Sequence, residues 1–173
     1  GEGMGEEDTW NHDDVREVQV RVPLILRLPQ PAPRGERRST PVSGVDVAPT
    51  LLGLAGLEIP ADMEGHDLVA EEVAPARERW VDDRDHVDPD DFRCALYRDG
   101  FKLVRFGRPP EVRYELYDLA QDPGGFRDVQ AQHPERFAAL RARMEERGGG
   151  QTSTSEVGET ADALQALGYA GDE

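Results

Sequence analysis

Cysteine is nearly missing from this chain: Cys94 stands alone among 173 residues. One thiol excludes an internal disulfide and any cysteine-rich zinc site, and it leaves the redox compartment open. Lysine is equally scarce, with Lys102 alone beside 19 arginines. A bias of that kind reflects genome composition or a salty habitat rather than a site. No stretch approaches the ~18 consecutive apolar residues of a membrane-spanning helix. No secretory leader heads the chain, and the first residue is Gly1 rather than Met, so a fragment or a processed product is expected. The absence of a leader then says nothing of a longer parent. There is no nucleophile elbow, phosphate loop, HExxH or Gly-rich dinucleotide fingerprint, so the residues alone do not compose a complete active site.

Basic charge is outweighed by acidic charge, 20 residues against 36, which gives a formal net charge of −16. A surface this acidic repels phosphate and argues against general nucleic-acid binding. Leu, Ile, Val and Phe make up about 21% of the chain, just above the level at which high charge implies disorder. A core can form, but not a generous one. The length suits one domain or one domain with a small appendage. The charge is also segregated: residues 58–91 are strongly acidic, whereas 20–40 and 92–115 carry an excess of arginine.

The opening GEGMGEEDTWNHDD reads as a polar loop. VQVRVPLILRL, residues 18–28, is apolar at every even position and predicts a parallel strand over Val20 to Leu28, buried on both faces from Leu24. The proline-rich, basic residues 29–41 read as a surface loop. VDVAPTLLGLAG, residues 45–56, predicts a helix near 46–55 with Asp46 as N-cap and Gly56 as stop, its Leu51, Leu52, Leu54 and Ala55 facing a sheet. Residues 58–91 read as an acidic excursion over the surface. RCALYRDGFKLVRF, residues 93–106, predicts a hairpin turning at Asp99-Gly100, and YELYDL a third strand. Residues 134–147 predict an amphipathic helix with Phe137, Leu140 and Met144 on one face, closed by Pro134 and Gly148. A Gly- and Ser-rich linker and a short helix from Thr160 to Gly168 would end the chain. These segments divide into 1–91, 92–147 and 148–173.

GEGMGEEDTWNH, VRVPLILRLP and PVSGVDVAPTLLGLAGL, followed by ALYRDGFKLVR, YELYDLAQDP and ALQALGY, closely resemble in this order the C-terminal part of sulfatases of the alkaline phosphatase superfamily. The resemblance implies an α/β fold, the end of a large α/β sandwich joined to a small antiparallel sheet with a packed helix. It implies a hydrolase of small-molecule or carbohydrate sulfate monoesters, with calcium and a formylglycine as cofactors and a periplasmic or secreted location. Gly1-Glu2 resembles the end of the family's Ser-Asp-His-Gly-Glu run of metal ligands. The nucleophile and most ligands would then lie upstream, no residue of this chain is assigned as a metal ligand, and the chain alone should be inactive. Cys94 does not match the nucleophile, since no CxPxR follows it. Two rival readings are a phosphodiesterase or phosphonate hydrolase of the same superfamily and a non-catalytic binding or structural domain.

The resemblance carries one catalytic assignment, His12. Related sequences place a His or a Lys between the Gly-Glu loop and the Val-Pro strand, where it meets the sulfate or the leaving oxygen. Hydrolysis at sulfur builds negative charge on the bridging oxygen, which an imidazolium can neutralise or protonate. Here Asp13 follows His12, where the family usually has Gly. Glu2 could border the metal. His66, His86, His133 and the Arg34, Arg37, Arg38 cluster read as surface residues, with His133 at a helix start. Cys94 reads as a small buried strand residue, and Tyr114 and Tyr117 as sheet packing.

Overall fold

The computed structural model describes residues 1–6, 9–11, 14–29, 35–84, 92–107 and 109–147. Its centre is an antiparallel meander. Strands β3 (Arg79–Arg84), β4 (Phe92–Arg98), β5 (Phe101–Phe106) and β6 (Arg113–Asp118) lie side by side in chain order. The β4–β5 turn is Asp99-Gly100, with φ of 53° and 79°. Both angles lie in the left-handed region, as a two-residue turn matching the sheet twist requires, and Asp-Gly is the pair that reaches it most easily. The expected hairpin and third strand are therefore present.

Alternation along the strands gives the sheet two buried faces. Cys94, Leu96, Leu103 and Leu116 point to one face, where they meet Leu140 and Met144 of helix α3 (Pro134–Glu146), with Phe137 packed at the margin. This is the expected helix on the expected face. His133 precedes it, as anticipated, with its ring edge-on to Phe101 at 5.1 Å. The other face carries Ala95, Tyr97, Val104, Phe106 and Tyr117, and is covered by Val15 from near the start of the chain.

β3 was not foreseen. It lies inside the stretch read as a surface excursion and pairs with β4 over its whole length, from Arg79 opposite Tyr97 to Arg84 opposite Phe92. Acidic residues hide the strand pattern: Val81 alternates inward, while Asp82 and Asp83 occupy places where hydrophobicity would advertise a strand. The rest of that stretch is also anchored, since Leu68 and Val73 are buried.

The N-terminal third departs from expectation. A small hairpin, β1 (Gly3–Glu6) with β2 (Thr9–Asn11), replaces the opening loop, and a single helical turn α1 (Glu17–Val20) follows. β1 bulges at Gly5, whose φ of 106° and approach to the Trp10 ring suit glycine alone. The strand expected over Val20 to Leu28 does not form. Residues 21–29 have no regular structure, and Ile25 is 87% exposed, with Val22, Leu24 and Leu26 also open. A strand buried on both faces takes its hydrogen bonds and cover from neighbours, and no described strand flanks this segment.

Helix α2 (Val47–Leu54) forms where expected, after a short 3-10 turn over Gly44–Asp46, and Gly56 ends it with φ of 68°. Its orientation differs from the expectation. Pro49 and Thr50 are buried, while Leu51, Leu54 and Ala55 are exposed. No described sheet lies against the leucine face. Asp46 does not cap α2 with its side chain. Its carboxylate instead accepts the Ser43 and His66 N–H groups and both terminal nitrogens of Arg77, at 2.6–3.0 Å, and the residue has no exposure. The expected linker and closing helix, 148–173, lie outside the described residues.

Candidate functional site

The segment following the Gly-Glu loop is held to the sheet by one row of side chains. Register places Arg79 beside Tyr97, Tyr97 beside Lys102, and Lys102 beside Tyr117, a row crossing all four strands on the face that Val15 covers. Above it sits Glu17, itself buried. One Glu17 carboxylate oxygen accepts from the Lys102 ammonium at 2.9 Å and from the Tyr97 hydroxyl at 2.5 Å. The same ammonium donates to the Val15 carbonyl at 2.5 Å and stands 5.0 Å from the centre of the Tyr97 ring. Arg79 stacks on that ring, also at 5.0 Å.

Lys102 is 1% exposed. Burial pulls its pKa down, and the adjacent Glu17 carboxylate pulls it back up without cancelling the fall. Burial and the same carboxylate drive the Tyr97 hydroxyl well above the usual phenol range, so it stays a donor. The group therefore holds main chain and side chain together, with the Lys102 ammonium and the Tyr97 hydroxyl both directed at acceptors.

On the N-terminal side, Asp14 accepts the Val15 N–H at 2.7 Å and pairs with Arg16 at 2.9 Å. His12, the assigned catalytic residue, lies outside the described residues, as does its neighbour Asp13. The chain on either side is described: β2 ends at Asn11, and Val15 is fully buried. Glu2 is exposed. Among the described residues, no three His, Cys, Asp or Glu side chains are grouped so as to hold a metal ion.

The remaining candidates fall elsewhere. The His66 ring lies 2.8 Å from Glu71 at the surface. His86 and Arg34 lie outside the described residues. Arg37 is exposed, and Arg38 pairs with Glu36 at 2.7 Å and donates to the Leu68 carbonyl. Cys94 is fully buried, and burial together with the nearby Asp82 pushes its thiol far above the ordinary range, leaving it an inert strand residue. Tyr114 meets Phe137 edge-on, and Tyr117, buried in the sheet, bonds to Glu115. An open cleft beside the start of α3 is lined by Arg98, Asp99, His133 and Arg136. It belongs to the opposite face of the sheet from Val15, and its arginines pair with Glu78 and Asp99.

The Glu17, Tyr97, Lys102 group was missed in the sequence, though a signal existed. In FKLVRF the even positions 102, 104 and 106 share one face, which puts the sole lysine on a face otherwise made of Val104 and Phe106. A lysine in that place needs a buried anion, and an acid close to an apolar run was the partner to seek.

Comparison with known proteins adds a family to this geometry. The family model described as "N-sulphoglucosamine sulphohydrolase, C-terminal" matches residues 5–149. The chain is 30% identical over 139 residues to arylsulfatase K of Xenopus laevis, covering 74% of this chain and 26% of that protein. It is 35% identical over 142 residues to the uncharacterized sulfatase YidJ of Escherichia coli strain K12, covering 77% and 25%. With the N-acetylglucosamine-6-O-sulfatase of Bacteroides thetaiotaomicron it shares 26% over 164 residues, covering 83% and 27%. The chain thus spans about a quarter of the length of these relatives. Among solved structures, Ps i-CgsB matches with a TM-score of 0.54 at 18% identity, over 82% of this chain and 33% of that one. The phosphonate monoester hydrolase of Silicibacter pomeroyi matches with a TM-score of 0.50 at 22% identity, over 68% and 27%. At these identities the structural likeness is one of fold.

Proposed function

Since this chain belongs to the sulfatase family, as the C-terminal segment whose family model spans residues 5–149, we propose that it completes an enzyme hydrolysing sulfate monoesters. That match, covering the Gly-Glu loop region, the sheet and α3 in one continuous order, is the observation that carries the reading. The curated relatives are named for sulfatase activities on different esters, one of them an N-acetylglucosamine 6-O-sulfate. The substrate class is accordingly a small-molecule or carbohydrate sulfate ester. The likeness to a phosphonate monoester hydrolase is one of fold and does not favour phosphorus chemistry over sulfur.

In this reading the calcium ion and the formylglycine nucleophile are held by the part of the enzyme outside this chain. A bound calcium would polarise the sulfate oxygens. The described residues supply no ligand cluster for it. This chain contributes His12, acting on the leaving oxygen as general acid or as fixed positive charge. Replacing His12→Ala in the full-length enzyme should lower kcat on the order of 10²-fold, the usual cost of losing one such group. The loss should be greater for a sugar sulfate than for nitrophenyl sulfate, because a sugar alkoxide needs its proton more. Unchanged kcat on both esters, with the metal retained, would remove the assignment.

A further inference from the structure

We propose that Lys102 is a positioning residue for the sulfate-ester site: through the Val15 carbonyl and the Glu17 carboxylate it fixes the chain that follows the Gly-Glu loop against the small sheet. The inference rests on the sulfatase reading above, and it concerns residues that the reading leaves without a role.

The first observation is composition. Nineteen of the twenty cations are arginine, yet the enclosed site on the sheet holds the single lysine. A guanidinium is a planar fork suited to two parallel acceptors. Here the acceptors are a main-chain carbonyl and a carboxylate oxygen converging on one point, with a ring face as the third neighbour. A compact ammonium with three donors fits that geometry.

The second is cost. A buried ion pair contributes little net stability compared with an apolar pair of the same volume, because both charges are desolvated. On this face Ala95, Val104 and Phe106 already supply apolar packing, and the row could have been completed with leucine. What the polar group adds is a directional tie on residues 15–17, since in this arrangement the ammonium, the Val15 carbonyl, the Glu17 carboxylate and the Tyr97 hydroxyl are bonded together.

The third is reach. His12 precedes Val15 by three residues, and three extended residues span at most about 11 Å. β2 ends at Asn11, so the chain entering the catalytic stretch is hydrogen-bonded and the chain leaving it is clamped. Catalytic groups require such anchoring, because a misplacement of 1 Å can cost roughly 10²-fold in rate.

The test is kinetics and amide hydrogen exchange on the full-length enzyme, with nitrophenyl sulfate as substrate. Lys102→Met should lower kcat about tenfold or more and leave KM within about threefold, since it disturbs the reacting geometry rather than uniform binding. Exchange should speed up in peptides covering residues 14–20 and stay unchanged in α3. Lys102→Arg should recover part of the loss, and Tyr97→Phe, which removes one bond to Glu17 and keeps the ring, should show a smaller loss. Leu140→Ala, a core truncation on the opposite face, should lower stability and leave kcat intact well below the melting temperature. If Lys102→Met keeps kcat, or Leu140→Ala lowers it equally, the proposal is overturned. Should Lys102→Met fail to fold, unchanged kcat in both Lys102→Arg and Tyr97→Phe overturns it. His12→Ala separates the two ideas: if it is silent while Lys102→Met still lowers kcat, the His12 assignment falls and the positioning role of Lys102 stands.

Discussion

Asp46 shows how one buried carboxylate can organise a stretch of chain with little regular structure. It binds Ser43 ahead of α2, His66 beyond it and Arg77 at the entry to β3, so three separated segments share one anion. Burial works against its ionisation, but the Arg77 fork and the two N–H donors outweigh that cost and hold the carboxyl below the ordinary range. A carboxyl depressed in the folded state adds stability that is complete above its unfolded pKa and disappears as pH falls through the folded value. Asp46→Asn keeps the shape and removes the charge, leaving Arg77 uncompensated. Breaking one side of such a pair costs about 3–5 kcal/mol. Urea melts at neutral pH should show that loss, and the gap between Asn variant and parent should shrink as pH drops below about 3.9. A gap that persists in strong acid would mean that packing, and not the ion pair, is what the variant lost.

The sheet and α3 form the element with the clearest link from pattern to structure. Leu140 is 3% exposed and Met144 fully enclosed, both against Leu96, Leu103 and Leu116. Truncating Leu140→Ala should cost about 2–5 kcal/mol, as leucine-to-alanine changes in packed cores do. The checking measurement is the denaturation midpoint, and a shift equal to that of an exposed alanine substitution would place the helix off the sheet. These elements were legible because their signals are local: Asp99-Gly100 encodes its own turn, and the spacing of Phe137, Leu140 and Met144 encodes a helix face. Two others were only half legible. The apolar alternation of residues 18–28 states that the segment wants burial, but not which strands would bury it. α2 carries its start and stop correctly, whereas the direction of its leucine face depends on a surface that local sequence does not describe. In the candidate site, the assignment of His12 came from resemblance alone. Glu17 and Lys102 are 85 residues apart, and their meeting is a tertiary fact for which the lone lysine on an apolar strand face was the one available hint.

At the scale of the whole chain, apolar exposure and net charge oppose each other. Val22, Leu24, Ile25 and Leu26 lie open on residues 21–29, and Leu51, Leu54 and Leu57 lie open on and just after α2. Exposed apolar surface of this kind drives association in water, at roughly 25 cal/mol per Å² covered. The formal charge of −16 keeps copies apart by mutual repulsion, which is long-ranged in dilute buffer and fades beyond about 8 Å at physiological salt. The 173-residue chain prepared by itself should therefore bind a hydrophobic dye at all salt concentrations and self-associate as salt is raised. It should also leave a chromogenic aryl sulfate untouched, because no metal cluster is present among its described residues and no CxPxR or SxPxR nucleophile motif in its sequence. Light scattering over a salt series, dye fluorescence and a turnover assay test the three parts. A monomer with no dye binding at high salt would mean that the chain covers these residues itself, and chelator-sensitive turnover would mean that it carries a site of its own.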